Sequence, residues 1–437
     1  MANSSTTNPS SDFSKVRYLF MARCANDIDH MVPIISALLD EGVEAHTIKY
    51  VTLIPHPSIN PKGDKRIRYI AERGVQLEAP YLQHVEKRIA RVAANADTIS
   101  PLFSLPAKVG RYYFAKLTQK SLTPANNANW LYIKQIVESM EENGCVVFDE
   151  NIGTAAKEIS KICKSRNLHY IAVPHGFPLH MGFDHPVLDR LLTPTPYKNS
   201  DKIYTSFICP NPWSAKKAAI RGIDNIQTLG STRFSPEWVK QLDKIYPIKK
   251  HETSKLKVAV VVEKAGVYIN NKPYEFLDIE EQFKAIEYLA KHKEVELKIK
   301  GNARGLYGRQ AAMLRALSPY IASENTTTGE LFTWADAVVG CCSSVLLDAV
   351  VKRKPLIQLR YATQLKMSFY KERLGWQPTS FDEFSWMVEK LIQDTDSFAY
   401  NRSGFENTMN FYVYGGQEPH NVPESYARYL HTLAGDE

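Results

Sequence analysis

No apolar run in this chain approaches the ~20 residues that a membrane-spanning helix needs, which argues against an integral membrane protein. The opening residues, MANSSTTNPSSDFS, also lack an apolar core, so residues 1–14 read as a disordered leader and not as a secretory signal. There is no CxxC and no Cys/His spacing suited to a metal. The six cysteines (Cys24, Cys145, Cys163, Cys209, Cys341, Cys342) include several inside apolar runs, where cysteine behaves as a small buried hydrophobe. That usage points to a reducing, cytoplasmic compartment. The absence of GxGxxG argues against a dinucleotide cofactor. No internal repeat and no DNA- or RNA-binding signature occurs, and a net charge of +7 is too weak to argue for nucleic acid. It suits anionic small molecules or an anionic membrane surface.

What is present is α/β patterning over a length, 437 residues, sufficient for two domains. Hydrophobic content of 44% and charged content of 23% are those of a globular protein. KVRYLFMA predicts a strand, HMVPIISALLDEG a helix closed by Gly42, and EAHTIKYV a second strand. Asp27, Asp29 and His30 are expected in the loop between, where His30 is either a general base beside a carboxylate or a helix-end residue. A helix is expected over 81–96. Lys108, Arg111, Lys116 and Lys120 then interleave with Phe103, Tyr112, Tyr113 and Phe114. That mixture fits a glycan or membrane face, or a solvated helix with its rings turned inward.

From Trp130 the alternation is regular: NWLYIKQIVESMEENG, CVVFDE, TAAKEISKICKSRN, HYIAVPHG. Asp149 and Glu150 end one predicted strand, and His175 ends the next. Both therefore fall on the carboxyl rim of a parallel sheet, where burial raises a carboxylate toward the range of a useful base. Asp149 as a helix cap is the alternative. A charged, Pro-containing stretch at 235–255 reads as a linker. Strand–helix alternation restarts at Lys257 with KVAVVV, followed by Glu263 and Lys264. It continues through VELKIKGNARG to ADAVVGCCSSVLLDAVVKRKPLIQL, Ala335 to Leu359. In that last stretch Ser343 and Ser344 are expected to open a helix, as ordinary caps or as hydroxyls on an anion. Lys298, Lys300 and Arg304 cluster at a strand end that would face them. The expected domains are thus 15–234, 256–410 and a tail, 411–437, whose helix packs back on the first domain.

Four motifs carry a resemblance. HMVPIISALLDEG is similar to the GHxxPxxxLxxxLxxxG start of many GT-B glycosyltransferases. FDENIG resembles the acidic motif of transferases that use CMP-activated acids, with one extra residue before Gly153. VPHG and LGSTRFSPEW resemble PHG and GSxRF elements of capsule enzymes. KGNARG with GCCSSVLLDAVVKRKPLI resembles the paired motifs that hold a donor phosphate. The chain thus resembles bacterial surface-polysaccharide (capsule or lipopolysaccharide) transferases, related to CMP-sugar and CDP-glycerol transferases.

The resemblance implies a GT-B fold, two Rossmann-like domains facing each other across a cleft, and transfer of a sugar from a nucleotide-activated donor, CMP-linked Kdo being one choice. A growing surface polysaccharide or glycolipid would be the acceptor, with peripheral contact to the inner membrane. It makes Glu150 the catalytic carboxylate, with Asp149, His175 and His30 around the acceptor. Lys300, Asn302, Arg304, Ser343, Ser344, Glu263 and Lys264 form the donor-binding set, with no metal or cofactor. Asn302 departs from the family, which has His there. Polyol-phosphate transfer, 2-epimerisation of a UDP-sugar, and a silent glycan-binding role are the alternatives.

Overall fold

The computed structural model describes residues 13–22, 25–53, 64–79, 130–149, 154–174, 180–183, 203–247, 253–263, 266–269, 272–301, 308–323, 326–367 and 372–435. The expected helix at 81–96, the basic-aromatic stretch, Glu150, His175, Lys264, Asn302 and Arg304 lie outside them. Two compact units emerge: Met1–His175 with Asp201–Ile208 and Tyr426–Glu437, and Gly176–Ser200 with Cys209–Ser425.

In the first unit, β1 (Tyr18–Ala22), β2 (Ile48–Thr52), β3 (Gln76–Glu78), β4 (Cys145–Asp149) and β5 (His169–Val173) are joined by helices. A strand beyond the next segment, Ser206–Cys209, pairs with β5. All of these pairings are parallel, in the order β3-β2-β1-β4-β5. Both β1 and β4 are buried along their full length, which is why YLFMA and CVVF read as unbroken apolar runs, with Asp149 ending the second strand. Leu19, Met21, Val146, Phe148 and Ile159 belong to the core beside them.

The helix before β2 ends as its sequence requires. Gly42 sits at φ +91° and donates to Leu39, while Val43 donates to Leu38, so the last carbonyls are satisfied. The final helix, Val422–Ala434, returns to this unit from Tyr426 on. There Arg17 Nη2 donates to the Ala434 carbonyl at 2.9 Å, and the hydroxyls of Ser206 and Tyr429 are 2.7 Å apart.

The second unit contains β6 (His180–Phe183), β8 (Ile226–Thr228) and β9 (Leu256–Val261), with Ser206–Cys209 taking the label β7 in chain order. A hairpin, β10 (Gly266–Ile269) and β11 (Lys272–Glu275), precedes β12 (Val295–Lys300), β13 (Ala337–Gly340), β14 (Leu356–Gln358) and β15 (Leu365–Met367). Its main sheet is parallel, in the order β12-β9-β13-β14, and β15 pairs antiparallel with β6. Central β13 is wholly buried, whereas edge strand β12 alternates, with Glu296, Lys298 and Lys300 on its half-exposed face.

The stretch expected as a linker differs. Pro236–Ile245 is a helix capped by Ser235, with Trp238, Val239 and Leu242 buried. Asp243 on it pairs with Lys352 at 2.5 Å and accepts from Thr333 at 2.8 Å. Charge and proline there mark a helix start and a solvated face.

Just before it, Gly230 of LGSTRF has φ +94°, and a Cβ there would stand 2.4 Å from the Val413 carbonyl oxygen. Gly230→Ala is therefore expected to destabilise the chain by about 1–3 kcal/mol through strain and displaced backbone. A melting temperature equal to wild type would show that this turn relaxes freely.

Candidate functional site

In an open parallel sheet, ligands gather outside the carboxyl ends of the strands where the strand order reverses. The first unit reverses between β1 and β4, which are neighbours although β2 and β3 intervene in sequence. Asp149 is the last residue of β4 and is fully buried. His30, also buried, stands in the helix that follows β1, Ala25–Asp40. So His30, Asp27 and Asp29 are helical and not in a loop, because the apolar periodicity extends one turn upstream of His30. Asp29 has a structural partner: its carboxylate accepts from Arg66 Nη1, and Arg66 also grips Asp64.

The second unit reverses between β9 and β13. Two residues beyond β9, Glu263 is buried, and the Ser343 side chain from the turn after β13 is near enough to temper the effect of that burial on its carboxyl. Gln310 Nε2 donates to the Glu263 carbonyl. Beneath the turn, Gln282 Nε2 donates to Cys341 Sγ at 3.4 Å, and Thr363 hydrogen-bonds Cys342. Glu263 Oε1, Gln282 Oε1 and the Tyr361 hydroxyl are buried with no hydrogen-bond partner among the described residues. Burial pushes the Glu263 carboxyl up to about 7, the nearby Ser343 side chain pulling slightly the other way. Burial also pushes the Cys341 and Cys342 thiols up, with Glu263 adding to both.

One expectation is corrected here. Ser343 and Ser344 do not cap a helix: the helix is only Leu346–Val351, Val345 precedes it, and no side chain caps it. A helix this short offers little dipole to an anion. Lys300 Nζ donates to the Thr326 carbonyl at 2.6 Å, tying the end of β12 to the next loop. Lys298, on the same face, lies 3.9 Å over the Trp334 ring. Gln282, Gln310 and Tyr361 were not singled out in the sequence. For Gln282 a signal existed, a polar residue on the buried face of an amphipathic helix, Ile279–Lys291.

Glu263 also makes a stability prediction. Its folded pKa is raised, so the stability it contributes is complete below about 4.5 and is lost as pH rises through about 7. The interval between about 4.5 and about 7 is worth about 3 kcal/mol. Glu263→Gln is thus expected to melt above wild type at pH 8 and to lose that advantage by pH 5. An offset equal at both pH values would mean the carboxyl is hydrated.

No protein-family model matches the chain, and no curated protein is similar to it in sequence. Among solved structures, the wall teichoic acid polymerase TagF superposes with a TM-score of 0.51 at 11% identity, covering 97% of this chain and 90% of that one. A TagF variant soaked with CDPG gives 0.51 at 12% identity, covering 98% and 91%. A Listeria monocytogenes protein assigned as a UDP-N-acetylglucosamine 2-epimerase gives 0.50 at 10% identity, covering 97% of each chain. Likeness at such identities establishes architecture, and the fold is α/β of the GT-B type.

Proposed function

We propose that this chain is a glycosyltransferase that moves a sugar from a nucleotide-activated donor to a growing surface polysaccharide or glycolipid. One observation carries the reading: in each unit the acidic residues singled out in the sequence flank the reversal of strand order, Asp149 in the first and Glu263 in the second. Glycosyl transfer needs two kinds of group, a base for the acceptor hydroxyl and hydrogen-bond donors or positive charge for the departing phosphate. The first unit would supply the base from Glu150, with His175, Asp149 and His30 around it. The second would hold the donor through Ser343, Ser344 and Glu263, with Lys264, Lys300, Asn302 and Arg304 as further donor-side groups. No metal or cofactor is part of the proposal.

CMP-linked acids such as Kdo are the first donors to test. The TagF likeness, one variant of which was soaked with CDPG, favours a second reading, polyol-phosphate transfer. A cytoplasmic site with peripheral membrane contact would suit a lipid-linked acceptor, and no described helix is long and apolar enough to cross a membrane.

Nucleotide release from a panel of CMP-Kdo, CDP-glycerol and UDP-N-acetylglucosamine, with and without lipid-linked acceptor, tests these readings. Acceptor-dependent release of CMP from a CMP-sugar is the expected result, and release only from CDP-glycerol selects the second reading. Conversion of the UDP-sugar without acceptor would replace both with an isomerase.

A further inference from the structure

Among the described residues, the exposed large apolar side chains include Ile220 and Trp386. Each leaves apolar surface in water, and the charges around it decide what would cover it. Trp386 stands on the helix Phe381–Gln393 with Asp382, Glu383 and Glu389, and Lys390 lies near its ring. Ile220 has the opposite company. It belongs to PWSAKKAAIRG, residues 212–222, which holds Lys216, Lys217 and Arg221 and no carboxylate. Asp224 is the only acidic residue from 210 to 236.

The local sequence fixes this segment as a helix, Pro212–Ile220. Asn211 caps it, its side chain accepting from the Ser214 N–H at 2.8 Å, and Pro212 takes the first position, where no N–H is needed. Gly222, at φ +82°, closes it and donates to the Ala219 carbonyl at 2.9 Å. A turn of about 100° per residue brings Trp213, Lys216, Lys217 and Ile220 onto one face. Ala218, the buried residue of the helix, is on the other. Lys217 Nζ lies 3.5 Å over the Trp213 ring, which keeps the cation beside apolar surface. Cations at the end of a helix complement its dipole, and that accounts for Lys217 and Arg221. It does not account for Ile220, which is 43% exposed among them.

We propose that the face of Trp213, Lys216, Lys217 and Ile220 docks on an anionic lipid bilayer. The lysines and Arg221 meet headgroup phosphates, and the two apolar side chains enter the headgroup boundary. A helix with an apolar centre and a basic rim lies in the plane of such a surface and does not cross it. The proposal gives the membrane contact of the functional reading a place, and it rests on that reading for its purpose alone, the meeting with a lipid-linked acceptor.

Sedimentation of the full chain with vesicles of phosphatidylcholine, alone or mixed with phosphatidylglycerol, tests the docking without donor or acceptor. Each cation at an anionic surface is worth about fivefold in affinity. Three of them should favour the anionic vesicles by about 10²-fold, a preference that high salt removes. Lys216→Gln with Lys217→Gln should weaken binding about 25-fold. Ile220→Ser should weaken it about threefold to tenfold and leave the salt dependence intact. Trp386→Ser, which alters an exposed ring among carboxylates, should bind as wild type.

Equal binding to both vesicle types overturns the proposal. Wild-type binding by the lysine and Ile220 variants overturns it too, and places the lipid contact elsewhere in the chain. A dimer in sedimentation velocity that Ile220→Ser disperses would give the face to a second copy instead. If the lysine pair fails to fold, Ile220→Ser decides, since its side chain is exposed and its melting temperature should match wild type. Failure on vesicles with nucleotide release intact removes the docking and leaves the transferase. Salt-sensitive vesicle binding with no nucleotide release supports the docking and removes the transferase.

Discussion

Arg233→Met should cost the second unit about 3–5 kcal/mol, because it takes the guanidinium away from a buried carboxylate. Arg233 lies in the short 3-10 turn Thr232–Phe234, and Asp348 in the helix Leu346–Val351 that follows the Ser-Ser turn. Arg233 Nη2 stands 3.4 Å from Asp348 Oδ2, with both side chains at least nine-tenths buried. The guanidinium is held from one side by the Phe234 ring, 4.9 Å away, and its turn is pinned where Ser231 N–H donates to the Val413 carbonyl at 2.8 Å. A helix of six residues with no side-chain cap cannot hold its own position. The ion pair therefore helps to place the turn that carries Ser343.

Against a typical total of about 5–15 kcal/mol, the loss is large. Chemical denaturation should detect it, and hydrogen exchange should rise first in residues 343–351. Adding Asp348→Leu removes that carboxylate and should restore most of the stability. A cost below about 1 kcal/mol, or no recovery in the double variant, would mean that water reaches the pair.

The sheets were legible because both faces of their central strands are covered. YLFMA, CVVF and AVVG are unbroken runs without a charged residue, flanked by helical periodicity, and each lies in a parallel strand. Gly42 was legible as punctuation, since it needs a backbone conformation that other residues resist. Less legible were features decided by a distant partner. Nothing local brings Ser343 beside Glu263, eighty residues earlier, and cap preference points to the neighbouring helix instead.

The alternation of VELKIK makes the half-exposed edge face of Lys300 legible in the sequence. The β10–β11 hairpin went unread although GVYI and KPYE flank Asn270 and Asn271, a turn signal between two short strand-like runs. Charge and proline suggest a linker at 235–255, whereas Pro236 is the first residue of a helix.

The largest kinetic effect is expected from Glu150→Gln, a turnover lower by about 10²–10⁴-fold, the usual contribution of a general base. Glu150 directly follows Asp149, the buried last residue of β4, and β4 forms one side of the strand-order reversal in the first unit. The glutamine keeps size and hydrogen bonding and removes only basicity. Donor affinity should barely change, because the residues proposed to hold the phosphate belong to the second unit. Turnover should therefore fall while nucleotide binding measured by calorimetry stays level. His30, buried in the helix after β1, and His175 are the competing bases. A near wild-type rate in Glu150→Gln with His30→Ala or His175→Ala inactive transfers the role to that histidine. Loss of folding in Glu150→Gln would make the carboxylate structural, since a catalytic base can be neutralised without unfolding its sheet.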